Sequence, residues 1–499
     1  MKKYFTTASI QNYFLPIILF CIYFIWHFLH ITDRDICLDE PYTIYHAQKS
    51  IYDIILLTIN GEANPPLFMI LVHGWIQLFG ISVTSIRLLP LLLSSLTIIF
   101  LYKSSFKLAG VYAALITSFL FLFSSLHFYF ALEVRTYSLL SFFTAVIYYL
   151  YILLIQNEKK TWVIFCIILT NIGIVLSHHF GWFVIANQGI IFLFYFNKKE
   201  LRKKIFTILV ATIILSIPVI ILVVKQFFVS SEVTWVAPPA ESIFQNYLFA
   251  FFNHRYAFDF VAYTLLASLI FFIIYEIFIK KFAEVRLKET LILLICFAVP
   301  FTFMYLISFK VPMFIDRYIL FNSIALYLFI GVAIGKLLYP FWYLQLIAFL
   351  SISIPVCEHL SVSQKNFYYR EVKNAVDHTM KFKDEHTLVF IHPAWNNIEF
   401  VYYYNPDLFK KIVADEFLKL YPENIYPIYS MDRVADILKN KTKDIQTIIF
   451  YTNGTDFANP YNKIPLDTFN DYTRVDSVFY PQCINVMVYK KVLNKKGLN

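Results

Sequence analysis

The side chains best suited to chemistry gather between Thr32 and Pro90. Asp33, Asp35, Asp39, Glu40, Asp53 and Glu62 crowd this stretch, which closes on Arg87, and long apolar segments lie on either side of it. A carboxylate is costly inside hydrocarbon, so these acids are expected in a loop at the water–lipid boundary. They also follow an order: Asp39-Glu40-Pro41, then Asn64-Pro65-Pro66-Leu67, then Phe79-Gly80, then Arg87. A carboxylate at a partly dehydrated surface can take the proton of an attacking hydroxyl. Asp39, with Glu40 beside it, is the leading candidate for that base. The other acids have a plainer reading, since outer loops of membrane proteins are poor in Lys and Arg.

Three further groups could serve the same reaction. In Glu133-Val134-Arg135-Thr136-Tyr137, the guanidinium of Arg135 offers a planar fork of donors suited to a phosphate; the plainer reading is an interfacial ion pair with Tyr137 as a belt aromatic. In Ser177-His178-His179-Phe180-Gly181, adjacent histidines diverge on a helix and no HExxH supports a metal site. His178 and His179 are therefore weighed as phosphate contacts against ordinary interfacial histidines. Lys310, Asp316, Arg317 and Tyr318 surround a Pro-containing loop, and Arg317 near a membrane face is costly unless it meets an anion. A base together with cations is what transfer away from a phosphate leaving group requires, because negative charge grows on the departing group. No Gly-rich phosphate loop is present, which argues against a nucleotide donor. No cofactor is expected; a divalent metal stays open, although the Asp-Glu pair falls short of a full ligand set.

The elements that must position these groups follow from composition. Of 499 residues 59% are hydrophobic and 15% charged, against roughly 25% charged in a soluble domain. The net charge of +9 is concentrated in short clusters between apolar runs, a membrane pattern rather than a nucleic-acid footprint. The run from Tyr13 to Ile31 is too long for a cleaved leader and reads as a first span. Further spans are expected near 84–106, 109–129, 136–156, 161–179, 182–197, 204–227, 258–279, 289–309, 318–338 and 341–359, about eleven in all. The segment 65–79 reads as an interfacial helix. With the N-terminus inside, Lys103 and Lys107, Lys159 and Lys160, Lys198 to Lys204, Lys280 to Lys288 and Lys336 all fall on the inner side. The low glycine count, 11, argues against a glycine-packed transporter bundle, and no GxxxG contact between helices is expected. Cys37, Cys357 and Cys483 could face an oxidising compartment without implying a pairing.

After Leu360 the sequence becomes mixed and charged. Residues 367–380 and 434–438 have helical spacing, 388–391 and 447–450 read as buried strands, and 476–492 as a strand pair around Pro481. The expectation is a membrane domain over 1–360, with 31–83 as its first external loop, and an extracytoplasmic α/β domain over 361–499.

The ordered motifs, from Asp39-Glu40 through Asn64-Pro65-Pro66-Leu67 and HFYFALEVRTYSLLSFF to Asp316-Arg317-Tyr318, resemble the GT-C glycosyltransferases of family 39 type. These include the protein O-mannosyltransferases and the lipid A aminoarabinose transferases. The resemblance implies a polytopic α-helical GT-C fold and inverting transfer of a sugar from a polyprenyl-phosphate donor. It implies Asp39 as base, with Glu40 and Glu133 as further catalytic acids. Arg87, Arg135, Tyr137, His178, His179, Lys310, Arg317 and Tyr318 would form the donor-phosphate side. The acceptor would be lipid A, another glycolipid, a polysaccharide or a protein, in a bacterial inner membrane. An O-antigen polymerase or ligase, or a transporter of lipid-linked sugars, is the competing reading; a transporter should carry ionisable residues near mid-span.

Overall fold

The computed structural model describes residues 10–62, 64–156, 161–230, 236–280, 287–361, 370–412, 417–430, 432–441, 445–453, 471–480 and 484–492. Lys159, Lys160, Lys281, Arg286, Phe367, Pro481 and Cys483 lie outside the described residues. The chain forms two compact units. One contains Met1–Ile31, Ile51–Trp75 and Thr84–Val362; the other contains Thr32–Ser50, Ile76–Val83 and Ser363–Asn499.

The first unit is helical, and every apolar stretch read as a span is found as helix. Five helices are long and apolar enough to cross a membrane: Gln11–Phe28, Val83–Leu122, Tyr137–Gln156, Arg255–Phe278 and Lys288–Ile307. Lys199–Leu215 and Ile217–Lys225, bent by 58°, make a sixth if counted as one broken span. Thr161–Ser177, Gly181–Phe194, Asn322–Leu337 and Trp342–Glu358 are apolar but shorter. Taken with the two rods of Val83–Leu122, these helices correspond one to one with the eleven stretches expected to cross. The Ser177-His178-His179 corner and Tyr339-Pro340 mark boundaries between neighbouring helices, proline having no N–H to continue a helix. At 40 residues Val83–Leu122 would be about 60 Å long, twice the hydrocarbon thickness. It is two rods joined at Gly110 (φ 84°, ψ −171°), a conformation open to a residue without Cβ.

The outer surface of this unit is bare hydrocarbon: Phe165, Leu169, Phe206, Leu266 and Phe278 are all exposed, as lipid-facing positions should be. Inside, polar side chains bond to one another across helices. Asn171 reaches Gln188 at 3.0 Å and Thr212 at 2.9 Å, Tyr151 reaches Gln188 at 2.9 Å, and Asn187 reaches Tyr148 at 3.1 Å.

The expectation that glycine does not organise the bundle is corrected here. Gly331 and Gly335, four apart in GVAIG, pack so tightly against the helix at Ala109, Ala113 and Thr117 that a Cβ on Gly331 would lie 2.1 Å from Thr117 Oγ1. Thr117 Oγ1 then bonds the Tyr327 carbonyl at 3.1 Å. Two small residues one turn apart suffice for close approach, and total glycine content does not report it.

The second unit is built on a five-stranded sheet of order β2-β1-β3-β5-β4, with β1 Thr387–His392, β2 Ile425–Pro427, β3 Thr447–Asn453, β4 Tyr472–Tyr480 and β5 Ile484–Lys491. β1 runs parallel to β2 and β3, while β5 runs antiparallel to β3 and β4. β1 is buried along its whole length, as its unbroken apolar run predicts. One face of the sheet, through Leu388, Phe390, Ile448 and Phe450, packs on Val434 and Leu438 of the helix Asp432–Lys441. The helices Val372–Phe382 and Asn397–Tyr404 belong to the same unit. So does the acidic helix Asp39–Ala47, where Tyr45 meets the Phe409 ring at 5.7 Å and lies under Lys419 at 4.3 Å.

Candidate active site

In the second unit, Leu38 has φ 59° and ψ −120°, an uncommon conformation for a residue with a branched side chain that costs about 1–3 kcal/mol and collects at functional sites. Its N–H donates to Glu399 Oε2 at 3.3 Å. Asp39 follows at once and opens the helix Asp39–Ala47, where Thr43 Oγ1 donates to its carbonyl at 3.1 Å. A carboxylate in a first helical turn is favoured by the unsatisfied N–H groups there.

The loop bearing Asp39 is held by buried charges. Arg34 and Glu40, 2% and 1% exposed, pair at 3.4 Å; Arg370 and Glu399, 7% and 3% exposed, pair at 3.5 Å. The Ile36 N–H donates to Tyr403 Oη at 2.6 Å, and the Lys373 N–H to Asp35 Oδ2 at 2.8 Å. Burial raises the Glu399 carboxyl above the usual carboxylate range, against the pull of Arg370 and the Leu38 N–H. Burial likewise pushes the Cys37 thiol up to about 12, with Arg34 opposing. The two members of the Asp-Glu pair therefore differ: Glu40 is buried against Arg34, whereas Asp39 remains partly exposed.

In the first unit, one end of the bundle collects the other sequence candidates. The Thr136 hydroxyl donates to the Ser177 carbonyl at 2.7 Å, joining the start of Tyr137–Gln156 to the end of Thr161–Ser177. This juxtaposes Tyr137 and His178, ring centroids 6.0 Å apart, and the His178 ring also meets Tyr318 at 5.5 Å and Phe180 at 5.0 Å. Arg135, Arg317 and His179 all lie close enough to His178 to act on it electrostatically. The Arg317 guanidinium sits 5.8 Å from the Tyr318 ring, and the Arg317 backbone N–H donates to Asp316 Oδ1 at 2.7 Å. Glu133 is 3% exposed, and its carbonyl accepts from the Arg135 N–H at 2.7 Å.

Two candidates stand apart. Arg87, 1% exposed, gives one nitrogen to the Ile31 carbonyl at 3.0 Å, clamping the end of the first span. Lys310 is exposed, with no described contact to the His178 group. Among the described residues no group of three His, Cys, Asp or Glu is arranged to hold a metal ion.

Residues 63–223 match the family model described as dolichyl-phosphate-mannose-protein mannosyltransferase. Among solved structures, the chain is similar to ArnT from Cupriavidus metallidurans in the apo state, with a TM-score of 0.63 and 14% identity, covering 97% of this chain and 99% of that one. This chain has the GT-C fold. The same coverage holds for ArnT bound to undecaprenyl phosphate, with a TM-score of 0.61 and 13% identity. Archaeal oligosaccharyltransferase AglB from Archaeoglobus fulgidus, in complex with an inhibitory peptide and a dolichol-phosphate, gives a TM-score of 0.53 at 9% identity, covering 98% of this chain and 75% of that one. No curated protein matches the sequence. The resemblance to GT-C glycosyltransferases read from the motifs is thus borne out.

Within this GT-C chain, sequence reasoning missed Arg34, Arg370, Tyr403 and Glu399, the residues that hold the Asp39 loop. Glu399 lies in HPAWNNIEFVYYY, a stretch noticeable for its aromatics. The one available signal was an acid at an otherwise apolar helix position.

Proposed function

We propose that the protein moves a sugar from a polyprenyl-phosphate donor to a hydroxyl or phosphate of an envelope acceptor, with inversion, at the outer face of a bacterial cytoplasmic membrane. The observation that carries this reading is the likeness over nearly the whole chain to a protein whose solved structure holds undecaprenyl phosphate. The cationic and aromatic group of Arg135, Tyr137, His178, His179, Arg317 and Tyr318 supports it. So does the strained presentation of Asp39.

In this mechanism the acceptor oxygen gives its proton to the Asp39 carboxylate and attacks the anomeric carbon. The bond from that carbon to the phosphate oxygen breaks on the opposite side, and its electron pair stays on the lipid phosphate. Arg135 and Arg317 stabilise the charge that grows there, the histidines and tyrosines completing the phosphate side. Glu133 supports Arg135, and Glu40 holds the loop through Arg34. Arg87 fixes the base of the first span, and Lys310 serves as an outlying cation. Lipid-facing helices would accommodate the polyprenyl tail.

The test is release of free polyprenyl phosphate from polyprenyl-phosphate sugars in proteoliposomes. Asp39→Asn should lower turnover by about 10²–10⁴-fold without changing the melting temperature; activity within a few-fold of the parent would end the assignment. Mass analysis of envelope glycolipids and glycoproteins from cells lacking the chain would identify the missing sugar and its acceptor.

A further inference from the structure

The end of the first unit remote from Arg135 carries a feature that sugar transfer does not use. The helix Tyr137–Gln156 has 20 residues, about 30 Å, with Arg135 just before its first turn. Its last turns line a shallow, open-sided hollow of about 70 Å³, walled mainly by Leu108, Tyr148, Ile152, Ile191, Ile292 and Leu293, with Gln156 and Glu289 at its polar edge. Most of this lining is apolar, its polar groups lying toward Gln156, Tyr195 and Glu289. The apolar walls suit a hydrocarbon chain entering from a bilayer that already bathes the exposed apolar side chains of this unit.

The mouth is charged. Tyr195, only 3% exposed, lines the hollow, and two ammonium groups converge on its ring: Lys288 Nζ at 3.9 Å and Lys198 Nζ at 5.6 Å from the centroid. The Tyr195 hydroxyl donates to Glu289 at 3.4 Å, and Glu289 is itself paired with Lys336 at 2.8 Å. Among these four described groups, three ammonium groups face one carboxylate, a surplus of two positive charges. Two cations on one ring repel each other, and an anion between them relieves that repulsion. A basic rim above an apolar slot at a membrane boundary has the chemistry that binds an anionic headgroup and its chain.

We propose that this hollow binds an anionic diacyl phospholipid, one acyl chain lying between Tyr148, Ile152 and Leu293 and the headgroup phosphate between Lys198 and Lys288. The site is independent of the transferase reading, Tyr148 and Ile152 being about 20–25 Å from Arg135 along the helix.

Native mass spectrometry of the full-length protein, titrated with phosphatidylglycerol and with phosphatidylcholine of the same acyl chains, tests this. Phosphatidylglycerol should be retained about ten-fold more, since each lysine near an anionic headgroup contributes to binding. Lys198→Gln with Lys288→Gln should bring the two lipids to parity. Leu293→Trp should lower retention of both while leaving the lysines in place, its fold checked by the melting temperature. Glycerol 3-phosphate, which lacks acyl chains, should not compete. Equal retention by the parent protein, or a preference that survives the double substitution, would overturn the proposal. So would competition by glycerol 3-phosphate, or polyprenyl phosphate displacing phosphatidylglycerol from the lysine-dependent site.

Discussion

The two units place their arginines in different settings. In the second, Arg34 and Arg370 each face a carboxylate, Glu40 at 3.4 Å and Glu399 at 3.5 Å, inside an apolar setting. In the first, Arg135 and Arg317 lie near His178 at one end of the bundle, beside Tyr137 and Tyr318, with Glu133 and Asp316 next to them in sequence. Matched pairs fix a conformation, here the strained turn at Leu38. A cation-rich cluster becomes favourable when an anion arrives. Under the proposed function, the contrast separates a unit that holds a carboxylate still from one that receives negative charge.

The largest effect that could break this contrast is expected at Arg370. Arg370→Met leaves the Glu399 carboxylate buried without its main partner and should cost about 3–5 kcal/mol in unfolding of the full-length protein. The double variant Arg370→Met with Glu399→Leu should recover most of that stability, as apolar replacements of buried pairs commonly do. It should not recover transfer, because the Leu38 N–H has lost its acceptor. Full recovery of transfer would show that the pair contributes stability alone.

Arg135→Ala addresses the other side. Turnover should fall by about 10²-fold with little change in melting temperature, and Arg135→Lys should recover part of the loss, since a point charge lacks the guanidinium fork. A rise in KM with kcat untouched would instead mean that Arg135 binds donor and transition state equally.

Gly331→Val probes packing without charge. With Thr117 Oγ1 and the Ala113 carbonyl at the positions a Cβ would meet, overpacking should cost about 1–3 kcal/mol, read as a lower melting temperature. An unchanged midpoint would mean that the two helices separate without penalty.

The smallest effect concerns pH. Burial, with Lys49 and Lys419 adding to it, lowers His46 from 6.5 to about 3. The folded protein therefore refuses a proton that the unfolded chain accepts. This contribution to stability is complete above pH 6.5 and is lost as pH falls toward 3. His46→Gln should flatten the melting temperature across that window, and an equally steep decline in the variant would remove His46 from the account.

Much of this was legible beforehand. Apolar run length located the helices of the first unit, and strand patterning located β1, β3, β4 and β5. The order of short motifs pointed to the GT-C fold. The grouping of Arg135, His178 and Arg317 was expected from their shared position at span ends. The difference between Asp39 and Glu40 was not legible, because adjacent acids look alike until one of them meets Arg34. The glycine contact at Gly331 was legible as the GxxxG of GVAIG, although the partner helix it meets was not.

The sequence by itself determined which segments leave water, because transfer of apolar side chains from water depends on local composition. It also determined which side chains could do chemistry. Only the tertiary structure decided that residues 32–50 belong with the chain beyond 363. Only it decided that Glu399, some 360 positions away, accepts the hydrogen bond that sets the turn before Asp39. Such a bond is a matter of a few ångströms in space, and distance along the chain carries no information about it.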